Sequence, residues 1–166
     1  MSISRSLTCV TLTGVAFLAV TGASGAAQAK QSDVVKMKVF ATIQDRTTVE
    51  VGDPGSSVGD IIAGHGTLSL KSGGQVYGDW NWVGQTTRVD IPGGMRWNMS
   101  TQQYQFDDGE IYTQGLLELP AGSVSPTEDQ VFVVTGGTGD YEGVRGSMKM
   151  VVKSDTKRVM KFRLLY

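Results

Sequence analysis

The sequence contains very little cysteine, histidine and proline, and the scarcity of the first two argues against disulfide-linked and metal-binding proteins. Its one cysteine is Cys9, its one histidine is His65, and it has four prolines. A single cysteine cannot form an internal disulfide, and one histidine without a His-rich tract makes a dedicated transition-metal site unfavourable. No dinucleotide fingerprint opens a helix anywhere in the chain. We therefore expect no metal and no cofactor.

Long apolar runs are also scarce, with one short exception near the N-terminus. Arg5, the apolar stretch from Leu7 to Val20 and the small residues around Ala27-Gln-Ala29 are typical of a secretory signal peptide. The stretch is shorter than the about 20 apolar residues that a membrane-spanning helix needs. The sequence predicts a signal peptide over 1–29 and a single domain over 30–166. After cleavage near Ala29 the protein would be secreted or periplasmic, without a stable membrane anchor and without cysteine.

Charge of either sign is not in large excess. The chain has 15 Lys and Arg against 16 Asp and Glu, a formal net charge of −1. Loss of Arg5 with the signal peptide shifts this balance slightly further towards negative. Because nucleic-acid binding needs a basic face, the balance argues against nucleic acid as the main partner. The 22 glycines and the rarity of helix-length periodic runs favour an all-β chain.

Alternation of apolar and polar residues predicts eight strands. The first runs from Val35 to Ile43, and turn-forming residues predict a loop over 44–57. Extended structure resumes at Val58, and 75–91 forms a long strand. Strands then follow over 95–106, 110–119, 130–135, 143–153 and 157–166, with a tight hairpin turn at Asp107-Asp-Gly109. Since closure removes exposed sheet edges, we expect an eight-stranded antiparallel β-barrel.

A glycine-rich corner separates two of these strands and carries a resemblance to a known family. The stretch Val134-Thr-Gly-Gly-Thr-Gly-Asp-Tyr-Glu-Gly-Val-Arg-Gly146 resembles the corner of the allene oxide cyclase and dirigent protein superfamily. Ile43-Gln-Asp-Arg46, Val58-Gly-Asp-Ile61 and the hairpin from Tyr104 to Leu117 agree in order and spacing. The resemblance implies an eight-stranded antiparallel barrel, often trimeric, with a largely apolar cavity, and we therefore expect a homo-oligomer, a trimer or a dimer. It also implies a protein that steers the cyclisation, isomerisation or coupling of a reactive small molecule.

The resemblance implies two polar site residues. Asp45 matches the dirigent aspartate after the first strand, and Arg145 matches the dirigent arginine before the last two strands. Both are predicted catalytic residues. Asp45 could equally be a solvated turn carboxylate, and Arg145 could form an exposed pair with Glu142. The glutamate that the cyclases place on the first strand is missing here, since this part of the chain offers Ala41, Thr42 and Gln44 instead.

Aromatic residues cluster on the third and fourth predicted strands and form a candidate ligand-binding wall. They could stack against a planar ligand or simply fill the core. His65, between two glycines, could be a general base or an ordinary exposed strand histidine. The predicted ligand-binding residues are Trp80, Trp82, Trp97, Tyr104, Phe106 and His65.

Two functions from different classes remain open on these residues. The first is a secreted barrel that binds an apolar or aromatic small molecule and steers its cyclisation, isomerisation or coupling, without a cofactor. The second is a non-catalytic ligand-binding or envelope-associated barrel that retains the scaffold alone. A ligand-sized cavity with Asp45 facing Arg145 would favour the first, and a barrel filled by Met, Trp and Phe side chains would favour the second.

Overall fold

The computed structural model describes residues 33–90 and 92–166. The predicted signal peptide, with Cys9 in it, lies outside the described residues, as does Ile91, so the predicted domain boundary near Ala29 stays a prediction. The described chain forms eight antiparallel strands: β1 Val34–Val49, β2 Ile61–Ser69, β3 Val76–Asp90, β4 Met95–Phe106, β5 Gly109–Pro120, β6 Gln130–Gly139, β7 Arg145–Val152 and β8 Lys157–Leu165.

Each strand pairs with the next along the chain, and β8 returns to pair with β1, which closes the barrel. The last strand shows why these residues form a sheet with two different faces. Met160, Phe162 and Leu164 point inward and are buried, whereas Lys161 and Arg163 point outward and are exposed. Side chains alternate across a strand, so this period-two pattern gives each strand one core face. The predicted eight-stranded antiparallel barrel is confirmed.

The predicted loop over 44–57 is partly wrong, because β1 continues to Val49. A β-bulge between Ile43 and Asp45 inserts Gln44 as an extra residue opposite β2. The bulge reverses the alternation, so that Asp45 points outward and Arg46 points towards the interior. The reversed alternation and the polar residues on both faces remove the period-two pattern that would predict a strand over 44–49. The second strand begins at Ile61 rather than at Val58, which is exposed in the preceding turn.

The glycine corner between β6 and β7 has the tight geometry expected from the sequence. Gly139 and Gly143 have φ values of +60° and +79°, a left-handed region that favours glycine. At Gly146, with φ at +136°, a Cβ would lie 2.0 Å from the carbonyl oxygen of Arg163 on the neighbouring strand. A larger residue would therefore separate β7 from β8 at this point.

Buried polar side chains are concentrated towards one end of the barrel axis, which gives the interior an apolar half and a more polar half within one continuous core. The apolar half lies at the end where the β2–β3, β4–β5 and β6–β7 turns meet. It is filled by large apolar side chains, among them Val39, Ile111, Val134, Tyr141, Val144, Met148, Phe162 and Leu164. The polar half lies at the opposite end, beneath the β1–β2, β5–β6 and β7–β8 connections. Most candidate functional groups lie in this half.

Candidate functional site

Strand β4 supplies the polar half with a row of inward-facing polar side chains. Arg96, Asn98, Ser100 and Gln102 occupy alternate positions, and each is at most 3% exposed. Met95, Trp97 and Met99 lie on the outer face. The sequence does not reveal this row, because both faces of β4 carry aromatic and polar residues. The apolar residues of β4 gave no signal either, because Tyr104 and Phe106 continue the face of the polar row while Trp97 and Met99 lie on the other face.

A small cavity of about 30 Å³ lies inside the polar half. The β5–β6 loop, residues 121–129, covers it with Val124 and with the buried Pro126. A volume of this size accommodates about one or two water molecules. Its walls are otherwise formed by Ile43, Trp80, Trp82, Ser100, Gln102, Leu117, Met150 and Arg158.

Two tryptophan rings form one wall of the cavity. Trp80 and Trp82 occupy successive inward positions of β3, and their ring centroids lie 4.1 Å apart with an interplanar angle of 28°. Gly64 on the neighbouring strand makes this arrangement possible, because a Cβ there would lie 2.1 Å from the Trp82 ring. The wall thus consists of a stacked aromatic pair lying close against the backbone of β2.

Gln102 fixes the base of this wall. Its Oε1 accepts hydrogen bonds from Trp80 Nε1 at 3.1 Å and from the Tyr104 hydroxyl at 2.6 Å. Burial raises the pKa of the Tyr104 hydroxyl far above its ordinary value. Tyr104 therefore stays protonated and donates to Gln102 at any physiological pH.

Several buried polar atoms in the row on β4 have no hydrogen-bond partner within the part of the chain that the structure describes. They are Ser100 Oγ, Asn98 Nδ2 and Arg96 Nε. Asn98 uses only its Oδ1, which accepts a hydrogen bond from Thr86 Oγ1 at 3.1 Å. Each unpaired buried donor costs about 1–3 kcal/mol. A small molecule with acceptor oxygens would give these groups the partners that they lack among the described residues.

Two buried arginines hold the β5–β6 loop over the cavity. Arg96 Nη2 donates to the Ser123 carbonyl oxygen, and Arg158 Nη2 donates to Ser125 Oγ at 2.5 Å. Burial lowers the pKa of both guanidinium groups, and the nearby charge of Arg46 lowers that of Arg158 further. These bonds attach the cover to the barrel by polar contacts at its edges.

A buried carboxylate anchors the neighbouring β1–β2 loop. Asp60 is 1% exposed and accepts hydrogen bonds from the Ser57 and Val51 amides at 2.8 and 3.1 Å, and from Ser57 Oγ at 2.8 Å. The Ser57 and Val51 amides hold the pKa of this carboxyl below its ordinary value, and the charge of Arg96 contributes. Asp60 is thus an ionised group that organises the rim of the polar half.

The structure does not bring the two predicted catalytic residues together. Asp45 is exposed on the outer face of β1, in the part of the strand that borders the polar half. Arg145 is exposed on the outer face at the start of β7, at the opposite end of the barrel, and donates to the Val144 carbonyl oxygen at 2.7 Å. Their catalytic role stays a prediction, and the geometry offers no shared site for it.

The six predicted ligand-binding residues fall into three locations. Trp80 and Trp82 line the cavity, and Tyr104 lies at its base with its ring nearly parallel to that of Trp80. Phe106 belongs to the apolar half, where its ring packs near Tyr77 and Tyr141.

The other two predicted ligand-binding residues lie on the outer face of the barrel. Trp97 packs beneath the guanidinium of Arg88, which is 4.6 Å from the ring centroid. His65 Nε2 lies 3.3 Å from Asp79 Oδ1 on the neighbouring strand. Neither side chain reaches the cavity in this structure.

Within residues 33–90 and 92–166, no three His, Cys, Asp or Glu side chains lie close enough together to hold a metal ion. In the same ranges no helix is long and apolar enough to cross a membrane.

Solved structures with the same barrel include a pyocyanin demethylase, with a TM-score of 0.64 and 22% sequence identity over 78% of this chain and 99% of that one. The Diels–Alderase AbmU from Streptomyces koyangensis gives a TM-score of 0.60 at 13% identity, covering 82% of this chain and 70% of its own. A pterocarpan synthase dirigent protein gives a TM-score of 0.58 at 11% sequence identity, covering 81% of this chain and 90% of its own. At these identities the likeness shows a shared fold.

A search of curated proteins found no match to this chain. The family model of the allene oxide cyclase barrel like domain, in contrast, matches residues 34–164, which run from the first residue of β1 to the last buried residue of β8. The chain therefore belongs to the allene oxide cyclase barrel-like family.

Proposed function

We propose that this protein binds an apolar or aromatic small molecule in the polar half of its barrel and steers the cyclisation, isomerisation or coupling of that molecule. One observation carries the proposal: the stacked Trp80–Trp82 pair lines the same cavity as Ser100, whose buried hydroxyl has no hydrogen-bond partner among the described residues. A flat apolar surface beside free donors suits a planar or conjugated molecule that carries a carbonyl or phenolic oxygen.

The residues around the cavity favour catalysis by orientation over acid–base chemistry. The described residues that line it include Arg158 and Ser100 but no carboxylate and no histidine. Holding one conformer of a spontaneously reactive molecule lowers its barrier to ring closure. Donors aimed at an oxygen that gains negative charge lower the barrier further.

Ligand entry on this proposal requires the β5–β6 loop to move. The cavity of about 30 Å³ is too small for a molecule of several rings while Val124 and Pro126 cover it. The bonds from Arg96 and Arg158 to Ser123 and Ser125 are polar contacts that can exchange with water. Opening of the loop would expose the tryptophan pair and the donors together.

The structural relatives support the proposal at the level of reaction type. They include a Diels–Alderase and a pterocarpan synthase dirigent protein, and a Diels–Alder reaction closes a ring. Both use the closed barrel found here. A shared barrel supports an interior site for a small molecule in this chain.

The test is native mass spectrometry of the protein purified from its own producing cells, followed by assay of the recovered molecule. We expect a bound small molecule in the wild type and its loss in Ser100→Val, which removes a donor and adds bulk at the cavity wall. Trp97→Phe, a change on the outer face, is the matched control and should retain the molecule. Equal occupancy of all three proteins would show that binding occurs elsewhere.

The alternative, a non-catalytic binding barrel, is favoured by the same lack of acid and base in the cavity wall. The two functions differ in what happens to the bound molecule. A steering protein changes the ratio of products, measured by chiral chromatography of the reaction with and without protein. A binding protein leaves that ratio unchanged while it protects the ligand.

We also propose secretion to the periplasm or medium, supported by the signal-peptide features of residues 1–29. N-terminal sequencing of the protein from the medium or periplasm should give a first residue near Lys30. Recovery of an intact Met1 from the cytoplasm alone would contradict this.

A further inference from the structure

The outer face of β1, β8 and β7 carries a dense group of cations, here called the basic face: Lys36, Lys38, Lys149, Lys161 and Arg163. All five are exposed. The strand register places them directly opposite one another: Lys36 faces Arg163, and Lys161 lies between Lys38 and Lys149. Neighbouring strands are about 5 Å apart, so this part of the sheet is a compact array of positive charge.

This arrangement opposes folding, because like charges directly opposite each other in a sheet are destabilising. Among the described residues only Lys149 of the five has a carboxylate within ion-pair distance, Asp129 at 3.1 Å. The whole chain has a net charge of −1, so the array is not a consequence of a basic composition. A concentration of five cations on one face of a slightly acidic protein, four of them without a carboxylate partner among the described residues, indicates an anionic partner.

The shape of the basic face restricts the partner. A groove of about 440 Å³ follows this surface, and all five cations line it together with Val131 and Ser147. Lys38, Lys161, Lys149 and Val131 follow one another across four neighbouring strands, so the groove is elongated. An elongated groove suits a single extended chain, whereas a bilayer presents a flat surface. Single-stranded nucleic acid also fits grooves, but its binding sites combine cations with exposed aromatic rings that stack on bases. The aromatic ring in the groove wall, that of Phe162, is buried inside the barrel.

We propose that the basic face is a binding site for an acidic polysaccharide, an extended sugar chain that carries regularly spaced carboxylate or sulfate groups. Lysine and arginine ammonium and guanidinium groups would pair with those anions, and Val131 would contact the sugar ring faces. The surface lies on the outside of the barrel, so this inference is independent of the small-molecule site proposed above.

The test is fluorescence anisotropy with labelled heparin and labelled polygalacturonate, using the full chain at low salt. Lys161→Gln/Arg163→Gln removes two charges from the centre of the basic face. Lys71→Gln/Arg88→Gln removes two charges elsewhere and is the matched control. Because each lost contact removes about one released counterion, we expect at least about tenfold weaker binding for the first pair and less than about twofold for the control. Binding to the wild type should fall steeply as salt rises.

A second measurement separates binding from folding. Thermal unfolding of Lys161→Gln/Arg163→Gln should occur at the same or a higher temperature, because the change relieves repulsion between neighbouring strands. Equal weakening in the two double variants would overturn the proposal, since it would reflect overall charge alone. Tighter binding of labelled oligothymidylate, or of vesicles containing phosphatidylglycerol, would overturn it in favour of nucleic acid or a membrane. Failure of both polysaccharides to bind at low salt would also overturn it.

Discussion

The two halves of the barrel interior are built from the same strands, but apolar side chains fill one half and buried polar side chains occupy much of the other. In the apolar half, side chains such as Phe132, Val134 and Met148 are at most 1% exposed and fill the space between the strands. In the polar half, Asn98 and Ser100 are equally buried, yet each retains a polar atom without a partner among the described residues. Close apolar packing stabilises a fold, whereas unpaired buried donors destabilise it.

This difference separates the part of the molecule that holds the barrel together from the part that is available for a ligand. Of these two residues, Ser100 lies in the cavity wall beside Trp80 and Trp82 and beneath the β5–β6 loop. Proteins commonly retain destabilising residues where a functional site requires them. The following variants test this division, beginning with the largest expected effect.

Phe162→Ala should cause the largest loss of stability. Phe162 is 3% exposed, and its ring meets that of Tyr104 edge-on at 5.0 Å. Removing a buried phenyl group costs about 3–5 kcal/mol in the free energy of unfolding, which urea denaturation measures. Leu117→Ala, a truncation at the cavity wall in the polar half, should cost less because Leu117 is only partly buried. A larger loss for Leu117→Ala would show that the polar half also carries the stability.

Ser100→Ala should change stability in the opposite direction. It removes a buried hydroxyl that lacks a partner in the described chain, and such a group costs about 1–3 kcal/mol. We expect the free energy of unfolding in urea to rise, while binding of the native small molecule weakens. Thr86→Val is the contrasting variant, since the Thr86 hydroxyl donates to Asn98 and its removal should destabilise. Destabilisation by Ser100→Ala would mean that its hydroxyl is satisfied within the protein.

Asp60→Asn should destabilise the protein in a pH-dependent way. The pKa of Asp60 lies below its ordinary value of 3.8 in the folded state. The ionised carboxylate therefore stabilises the fold above about that pH, and the contribution disappears as the pH falls through the folded pKa. Thermal unfolding should show a lower midpoint for Asp60→Asn at neutral pH and converging midpoints in acid. A constant difference at all pH values would show that the effect of Asp60 does not come from its charge.

Asp45→Ala and Arg145→Ala should have the smallest effects. Both residues are exposed on the outer face at opposite ends of the barrel, and surface changes of this kind usually alter the free energy of unfolding by less than about 0.5 kcal/mol. We expect ligand occupancy in native mass spectra to match that of the wild type. Loss of the ligand in both variants would support the site implied by the family resemblance. It would contradict a site confined to the barrel interior.

The sequence was sufficient to predict the fold because the alternation along the strands and the glycines of the β6–β7 corner act locally. Met160, Phe162 and Leu164, for example, share a face in the sequence and are buried together in the structure. The inserted Gln44 was not predictable in this way, since one bulge residue exchanges the two faces of a strand. The inward position of Arg46 and the outward position of Asp45 follow from it.

The candidate site was harder to predict than the fold because it depends on which face of β4 turns inward. Trp97 and Met99 on one face are as apolar as Tyr104 and Phe106 on the other, so composition does not decide between them. Closure of the barrel decides it, by placing Ser100 and Gln102 opposite the β5–β6 loop. Trp80 and Trp82, two of the predicted ligand-binding residues, line the cavity.

The most direct test of the division compares two introduced cysteines with equal burial. Ser100 and Met148 are both 0% exposed, one in each half, so Ser100→Cys and Met148→Cys in a Cys9→Ser background differ mainly in location. We would measure the rate of labelling by N-phenylmaleimide, an aromatic small molecule, under native conditions. The account predicts that the cysteine at position 100 reacts through opening of the β5–β6 loop, much faster than global unfolding, while the one at 148 reacts only at the unfolding rate. Equal rates at the two positions would contradict an interior site in the polar half.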